Sequence, residues 1–257
     1  MLSPGLAGAR AVAAKHLRIF LRSPMEVTLT LFAPVLWLLL FGLALESVLG
    51  GGLPGMETTY LAYLAPGLVA LTALTASLFA GATFFLEVDR GEVKQYLAAP
   101  MARVEYYLGL ATSAGVKTVV QSAIILLLAL PLGLPSLDLL GALIGLLIVG
   151  AFALGAFGFS AWLASKSPSF EAYHGLLILL NLPLLFLSDA LYPLEQVPTW
   201  MGAIASVNPL THLVEALRYL AVGQPSPLGL PLNLGVLAGL VVLGLYLGHR
   251  AVQGLES

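Results

Sequence analysis

Long apolar runs, separated by short polar, glycine- or proline-bearing breaks, dominate this chain. Runs of ~20 to 25 residues, at a helical rise of ~1.5 Å per residue, match helices that cross a hydrocarbon layer of ~30 Å. Six such runs are legible: about 27 to 45 with Pro34 inside it, 60 to 86, from about 107 to 130, 139 to 164, 172 to 188 and 228 to 248. A GGLPG turn flanked by Glu46 and Glu57 parts the first two, Pro131, Gly133 and Pro135 mark the turn into the fourth, and Lys166 and Pro168 mark the turn into the fifth. Small residues recur every four positions in the second run, as Thr72, Ala76 and Ala80 beside Ala73, Ser77 and Gly81, and again at Gly141 and Gly145 in the fourth. That spacing lets helix backbones approach closely, so the second run is expected to be a buried, central helix.

Three segments depart from the pattern of runs and turns. Residues 6 to 22 place Lys15, Arg18 and Arg22 on one helical face with Val12, Ile19 and Phe20 beyond it, which predicts an amphipathic helix at the membrane interface, stopped by Ser23 and Pro24. The plainer alternative is a solvated basic flank that only orients the protein. Residues 87 to 106, EVDRGEVKQYLAAPMARVEY, hold the densest charge in the chain and belong outside lipid. Residues 189 to 227 are too apolar for a solvated loop and predict two short helices, about 196 to 205 and 209 to 222, as an interfacial or re-entrant pair covered by protein or lining a cavity. Tyr192, Trp200 and Tyr219 suit that depth.

Composition narrows the class. Of 257 residues, 59% are hydrophobic and only 9% charged, against roughly 25% charged in soluble domains, so one membrane domain over 1–257 accounts for the whole length. A net charge of −2 offers no basic field for nucleic acid, and the absence of cysteine excludes disulfides and thiolate chemistry. Arg10, Lys15, Arg18 and Arg22 run through the stretch where a cleavable signal would be apolar. If six spans alternate, Arg10, Lys15, Arg18, Arg22, Arg90, Lys94, Arg103, Lys166 and Arg250 fall on one side, nine of the eleven basic residues. The positive-inside rule then places both termini and the 87 to 106 segment in the cytoplasm of a multi-pass protein of the inner or plasma membrane.

Few residues offer chemistry. GVKT at 115 to 118 is the nearest approach to a nucleotide-binding loop and lacks the glycine before Lys117, so no ATP site is expected in this chain. His16, His174, His212 and His249 are scattered, which points to structural or interfacial roles and to no metal site. GFSA at 158 to 161 is similar to the nucleophile sequence of six-span membrane serine proteases, with His249 on the last span, but it lacks the final glycine and serves helix packing equally well. Lys117 sits about nine residues into its span, roughly 13 Å from the edge at 1.5 Å per residue, where a lysine costs about 2.5 to 3.5 kcal/mol unless it snorkels or faces a polar path. Ser113 and Gln121 lie one turn to either side and complete a polar stripe that should face inward. Glu215 and Arg218, three apart on the second outer helix, are expected to pair, either to stiffen it or to form a gate contact.

Several stretches together resemble the membrane subunits of bacterial ABC exporters of drugs and polysaccharides, the ABC type-2 permeases: SVNPLTHLVEALRYL at 206 to 220 after LYPLEQVPTW at 191 to 200, the basic helix ending at Pro24, Pro34 followed by LLLFG, and RGEVKQYLAAPMARVEYYLG at 90 to 109. The resemblance covers nearly the whole chain. It implies an all-α, six-helix permease without enzymatic activity of its own, dimerising with itself or a related permease in the lipid bilayer and working with a separate ATP-binding subunit that holds ATP and magnesium. On that basis the ATPase contact falls on Asp89, Arg90, Gly91, Glu92, Gln95, Tyr96 and Arg103, the translocation path on Ser113, Lys117 and Gln121, and the outer gate on Asn208, Pro209, Glu215 and Arg218. The cargo would be an amphipathic drug, lipid or glycan-type compound. Ser188-Asp189-Ala190 and VKQYL depart from the family's usual wording at the gate and the coupling segment. The competing class is an ion- or proton-coupled secondary transporter, which needs several paired ionisable residues within its spans.

Overall fold

The computed structural model describes residues 4–44, 59–98, 101–132, 134, 137–194 and 197–254, and every regular element among them is helical. The turn at 51 to 55, Glu46, Glu57, Gly133 and Pro135 lie outside the described residues. Helix α1 (Pro4–Arg22) turns at Ser23 into α2 (Pro24–Trp37), which continues as a π-helical stretch, Leu38–Leu43. The axis bends by 69° between Leu6–Arg22 and Val27–Gly42. Then come α3 (Tyr60–Asp89), the short α4 (Glu92–Leu97), α5 (Arg103–Ala129), α6 (Leu139–Lys166) and α7 (Phe170–Phe186). The chain closes with α8 (Thr199–Ala205), α9 (Pro209–Leu217) with its π-helical continuation Arg218–Val222, and α10 (Leu230–Gln253).

Capping follows the sequence. Thr59, Ser169 and Asn208 accept the backbone N–H of Ala62, Ala172 and Leu210 at the starts of α3, α7 and α9. Between α3 and α4 the chain reverses at Gly91, whose φ of 70° favours a residue without a side chain.

Helix α3 forms the centre, as its small-residue spacing predicts. Residues from Tyr60 to Ala70 are buried without interruption, and Ala73, Ser77 and Gly81 are buried farther along, with Gly81 facing the Ser160 and Tyr173 side chains. Ala76 and Ala80 are half-buried and border a cavity instead. Helix α1 packs along α5, with the Ala9 carbonyl and Val12 against Gly109. Val12, His16 and Phe20 are buried there, whereas Ile19 is half exposed, so the inward face of α1 is narrower than the charge pattern implied.

Helices α6 and α10 cross through glycine: a Cβ on Gly244 would overlap the Gly155 carbonyl, and one on Gly158 the Gly244 carbonyl. Neither backbone has a flexible side chain to move aside, so Gly244→Val is expected to destabilise the bundle by about 3 kcal/mol, the upper range for overpacking. Gly239→Ala on the same helix, where a Cβ meets nothing within 4 Å, is expected to be neutral. Thermal melts of both variants in detergent check the contrast.

Four of the described helices, α3, α5, α6 and α10, are long and apolar enough to cross a membrane, or five spans if α1 and α2 count as one bent span. Helix α7, with 17 residues, is apolar but shorter. The two segments read as full spans at about 27 to 45 and 172 to 188 are therefore the short members of the bundle. Gly42, in the π-helical continuation of α2, lies near Leu61 at the start of α3, while α7 starts beside Phe85 and is followed by Asp189, which lies against Tyr63. The segment from 189 to 227 folds as α8 and α9, close to the two short helices expected there; every residue from Leu210 to Arg218 is buried, in a wedge among α3, α6 and α10.

Candidate functional site

Charge gathers at the two ends of α3. At its C-terminal end the buried Glu87 carboxylate accepts a hydrogen bond from the Tyr106 hydroxyl of α5 at 2.7 Å and from the Tyr96 hydroxyl of α4 at 3.2 Å. Lys15 and His16 of α1 approach the same carboxylate at 3.4 and 3.3 Å, and the Lys15 ammonium also donates to Tyr96. Burial opposes the charge on Lys15, but Tyr96 and Glu87 outweigh it and raise its pKa. Four helices are thus tied at one carboxylate.

The predicted ATPase-contact residues divide around this cluster. Asp89, Arg90 and Gln95 are exposed, Gly91, Glu92 and Arg103 are partly exposed, and Arg90 lies 3.9 Å from Glu92. Tyr96 is partly buried and directed inward, where it joins α4 to α1. Sequence reasoning missed Glu87, Lys15, His16 and Tyr106 as one unit, because three separate segments contribute them.

Next to that cluster, toward the middle of the bundle, lies a cavity of about 190 Å³ bordered by α1, α2, α3, α5 and α6. Ser113, Lys117 and Gln121 all line it, so the polar stripe read from the sequence does face the interior of the bundle. Thr118, His16, Thr30 and Thr83 extend the polar wall, and Phe20, Phe79, Ala80, Leu110 and Phe157 supply the apolar one. The Lys117 ammonium stands 5.0 Å from the centre of the Phe20 ring, a cation–π contact. Thr118 Oγ1 and Gln121 Oε1 are buried without a hydrogen-bond partner among the described residues.

At the N-terminal end of α3 the expected Glu215–Arg218 pair does not form. The Arg218 guanidinium instead donates to Asp189 Oδ2 at 2.7 Å, to the Asp189 carbonyl at 2.7 Å and to the Tyr63 carbonyl at 3.1 Å, and lies 3.6 Å over the Tyr63 ring. Glu215 turns toward α10, accepting from Ser226 Oγ, the Leu228 N–H and Asn233 Nδ2 at 2.7 to 3.1 Å. The two charges sit ~60° apart around the helix, close enough for local pairing, but each has a better-formed partner set on another element. Asn208 both caps α9 and donates to the Leu184 and Leu187 carbonyls at the end of α7, with Pro209 in the first turn of α9. About 24 residues of α3 separate Tyr63 from Glu87, so the two clusters stand ~36 Å apart.

The remaining candidates have structural roles. Ser160 is fully buried and bonds the Leu78 carbonyl and, at 2.8 Å, the Tyr173 hydroxyl, a lock between α3, α6 and α7 with no histidine beside it. His212 is held by Asn233 at 2.7 Å and by the Ser206 carbonyl at 3.0 Å. His174 stacks on Phe170 and meets Phe79 edge-on, and His249 meets Gln253.

An all-helical bundle with four to five apolar spans, a half-polar interior cavity and ionic ties at both ends of its central helix defines a multi-pass membrane protein of the transport class. The model of the ABC-2 type transporter family matches residues 8–222, and the chain belongs to that family. It is 31% identical over 200 residues to a putative transport permease, ycf38, of Cyanophora paradoxa, covering 77% of this chain and 69% of that protein. It is 26% identical over 255 residues to the daunorubicin resistance ABC transporter permease protein DrrB1 of Streptomyces coeruleorubidus (95% and 88% of the two chains), and 30% identical over 216 residues to nodulation protein J of Rhizobium leguminosarum bv. viciae (82% and 80%). Family membership implies a transport permease subunit of an ABC transporter, which works with an ATP-binding partner.

Proposed function

We propose that this chain is the membrane-spanning subunit of an ATP-driven exporter, moving an amphipathic drug, lipid or glycan-type compound out across the cytoplasmic membrane while a separate subunit hydrolyses ATP. Six segments cross: α2, α3, α5, α6, α7 and α10. The termini, α1 and α4 lie in the cytoplasm, where nine of the eleven basic residues gather. Two copies, or one copy and a related permease, pair with two ATP-binding subunits.

The observation that carries this reading is the tie between α4 and the bundle. A short charged helix exposes Asp89, Arg90 and Gln95 around it while Tyr96 fastens it to Lys15 and Glu87. Force applied by a soluble partner on Asp89, Arg90, Gly91, Glu92, Gln95 and Arg103 then moves α1, α3 and α5 as a body. The cavity at Ser113, Lys117 and Gln121 serves the path, and α8 and α9, braced by Asn208, Pro209, Glu215 and Arg218, close the outer end.

The test is co-expression with the ATP-binding subunit encoded beside this chain. Co-elution with vanadate-sensitive ATPase activity is expected, lost in a combined Asp89→Lys, Arg90→Glu and Gln95→Lys variant whose thermal melt is unchanged. A chain that purifies alone and still moves solute down an ion gradient overturns the exporter reading in favour of an ion- or proton-coupled carrier centred on Lys117.

A further inference from the structure

We infer that the end of α1 is a lipid-binding surface: Arg18 and Arg22 take the phosphate of an anionic phospholipid of the inner leaflet, whose acyl chains lie along the exposed apolar ridge of α2. This rests on the cytoplasmic placement of α1 proposed above and goes beyond it by naming the lipid and the residues that select it.

The packing of α1 decides which of its faces is left. Ala9, Val12, Ala13, His16 and Phe20 are buried on the side that lies along α5, so protein and not lipid covers the apolar side of the helix. The exposed face carries Arg10, Lys15, Arg18 and Arg22. Lys15 reaches Glu87 and Tyr96, which sets its level beside α4. Arg18 and Arg22 stand roughly one and two turns farther along, away from α4 and toward α2. Being one turn apart, both guanidinium groups can close on one phosphate. Leu21 and Ile19, 74% and 50% exposed, flank the two arginines at ~60° to either side around the helix. Cations bordered by exposed leucine and isoleucine suit the boundary between headgroups and acyl chains better than open water.

The residues past Arg22 supply the other half of the site. Met25, Leu29 and Phe32, 71%, 61% and 58% exposed, form one ridge on α2. Thr28 and Thr30 are exposed there as well, but their hydroxyls donate to the Pro24 and Val27 carbonyls at 2.8 and 3.0 Å, so neither needs water. The surface therefore changes from phosphate-binding to hydrocarbon-facing between Arg22 and Leu29, as the headgroup and chains of a single lipid do. The position also separates this face from the proposed ATPase contact, which surrounds α4 on the other side of Lys15.

Native mass spectrometry of the full chain in non-ionic detergent, offered phosphatidylglycerol and phosphatidylcholine at equal concentration, tests the inference. The parent is expected to bind phosphatidylglycerol about fivefold better, the order contributed by one basic residue at an anionic membrane surface. Arg18→Gln combined with Arg22→Gln is expected to erase that preference, and Arg18→Lys combined with Arg22→Lys to keep most of it. Lys166→Gln combined with Arg250→Gln, at exposed basic residues elsewhere, is expected to leave it intact. Elution and melting should be unchanged in all three. Equal binding of the two lipids by the parent, a preference that survives the glutamine pair at 18 and 22, or one lost with the pair at 166 and 250 overturns the inference. Loss of the ATP-binding subunit from the glutamine pair at 18 and 22, with the lipid preference kept, assigns the face to a protein partner and overturns it equally.

The leaflet is read separately. The chain has no cysteine, so Ala14→Cys, exposed on α1, offers a single thiol to a membrane-impermeant reagent. Labelling from the cytoplasmic side alone is expected; labelling from the outer side overturns the inner-leaflet assignment and the orientation beneath the exporter reading. The lipid preference in detergent needs neither an ATPase nor a sided membrane, so it succeeds or fails independently of that reading.

Discussion

Arg218→Met is expected to remove about 3 to 5 kcal/mol of stability, the range for breaking a buried ion pair by deleting one partner. The side chains of Arg218 and Asp189 are 6% and 7% exposed, and the variant leaves the aspartate buried without its counter-charge. It also strips donors from the Tyr63 and Asp189 carbonyls and the cation from the face of Tyr63. Arg218→Lys keeps the charge but cannot reach three acceptors with one planar fork, so a partial loss is expected. Asp189→Asn should cost less than Arg218→Met, because the guanidinium retains two backbone acceptors. Pairing Arg218→Met with Asp189→Leu should recover part of the deficit, since two apolar groups no longer strand a charge. Melting curves in detergent read the series. If Arg218→Met melts with the parent, the ion pair is not what holds α9 to α3.

A comparable loss is expected at the other end of the central helix. Glu87→Ala removes the acceptor shared by Lys15, His16, Tyr96 and Tyr106 and should lower stability by about 3 kcal/mol. Tyr106→Phe deletes a single hydrogen bond to a charged group and should cost about 1.5 to 3 kcal/mol. Glu87→Gln keeps an acceptor for Tyr106 but loses the attraction to Lys15, so it separates hydrogen bonding from charge. The melting temperatures should fall in the order Glu87→Gln, then Glu87→Ala, below the parent. Protease cleavage within 87 to 106 should also quicken in the alanine variant, because α4 loses one of the contacts made through Tyr96. Equal melting of all three proteins removes Glu87 from the account.

The helices were legible in the sequence wherever composition alone decides. The apolar runs of α3, α5, α6 and α10 depend on local composition and appear where the residues place them. The inward stripe of Ser113, Lys117 and Gln121 was legible for the same reason, since one-turn spacing fixes a common face. Partner choice was not. Glu215 and Arg218 satisfy a local spacing rule, yet Asp189 lies 29 positions from Arg218, and only the fold brings it to 2.7 Å. Asp189 stood out in the sequence solely as a departure from the family's usual wording. Its role follows once Tyr63, on the central helix α3, closes the third side of the guanidinium site. Glu87 was hidden likewise among the charges of a coupling segment read as lying outside lipid, although it is 6% exposed.

The position of the two clusters on α3 constrains how the helix can move. A hydrogen-bonded helix is stiff along its axis, so a rod gripped by Glu87 at one end and by the Tyr63 carbonyl and ring at the other cannot slide without opening one grip. Tilting is less costly, provided the rod yields somewhere. Pro66 supplies that point: it has no N–H to give the Ala62 carbonyl, and the adjacent Gly67 lies against the Ala190 carbonyl, where any side chain would collide. Displacement that begins at the Glu87 end would therefore travel the length of the shaft and be spent as bending at Pro66, one turn from the Tyr63 carbonyl that Arg218 grips.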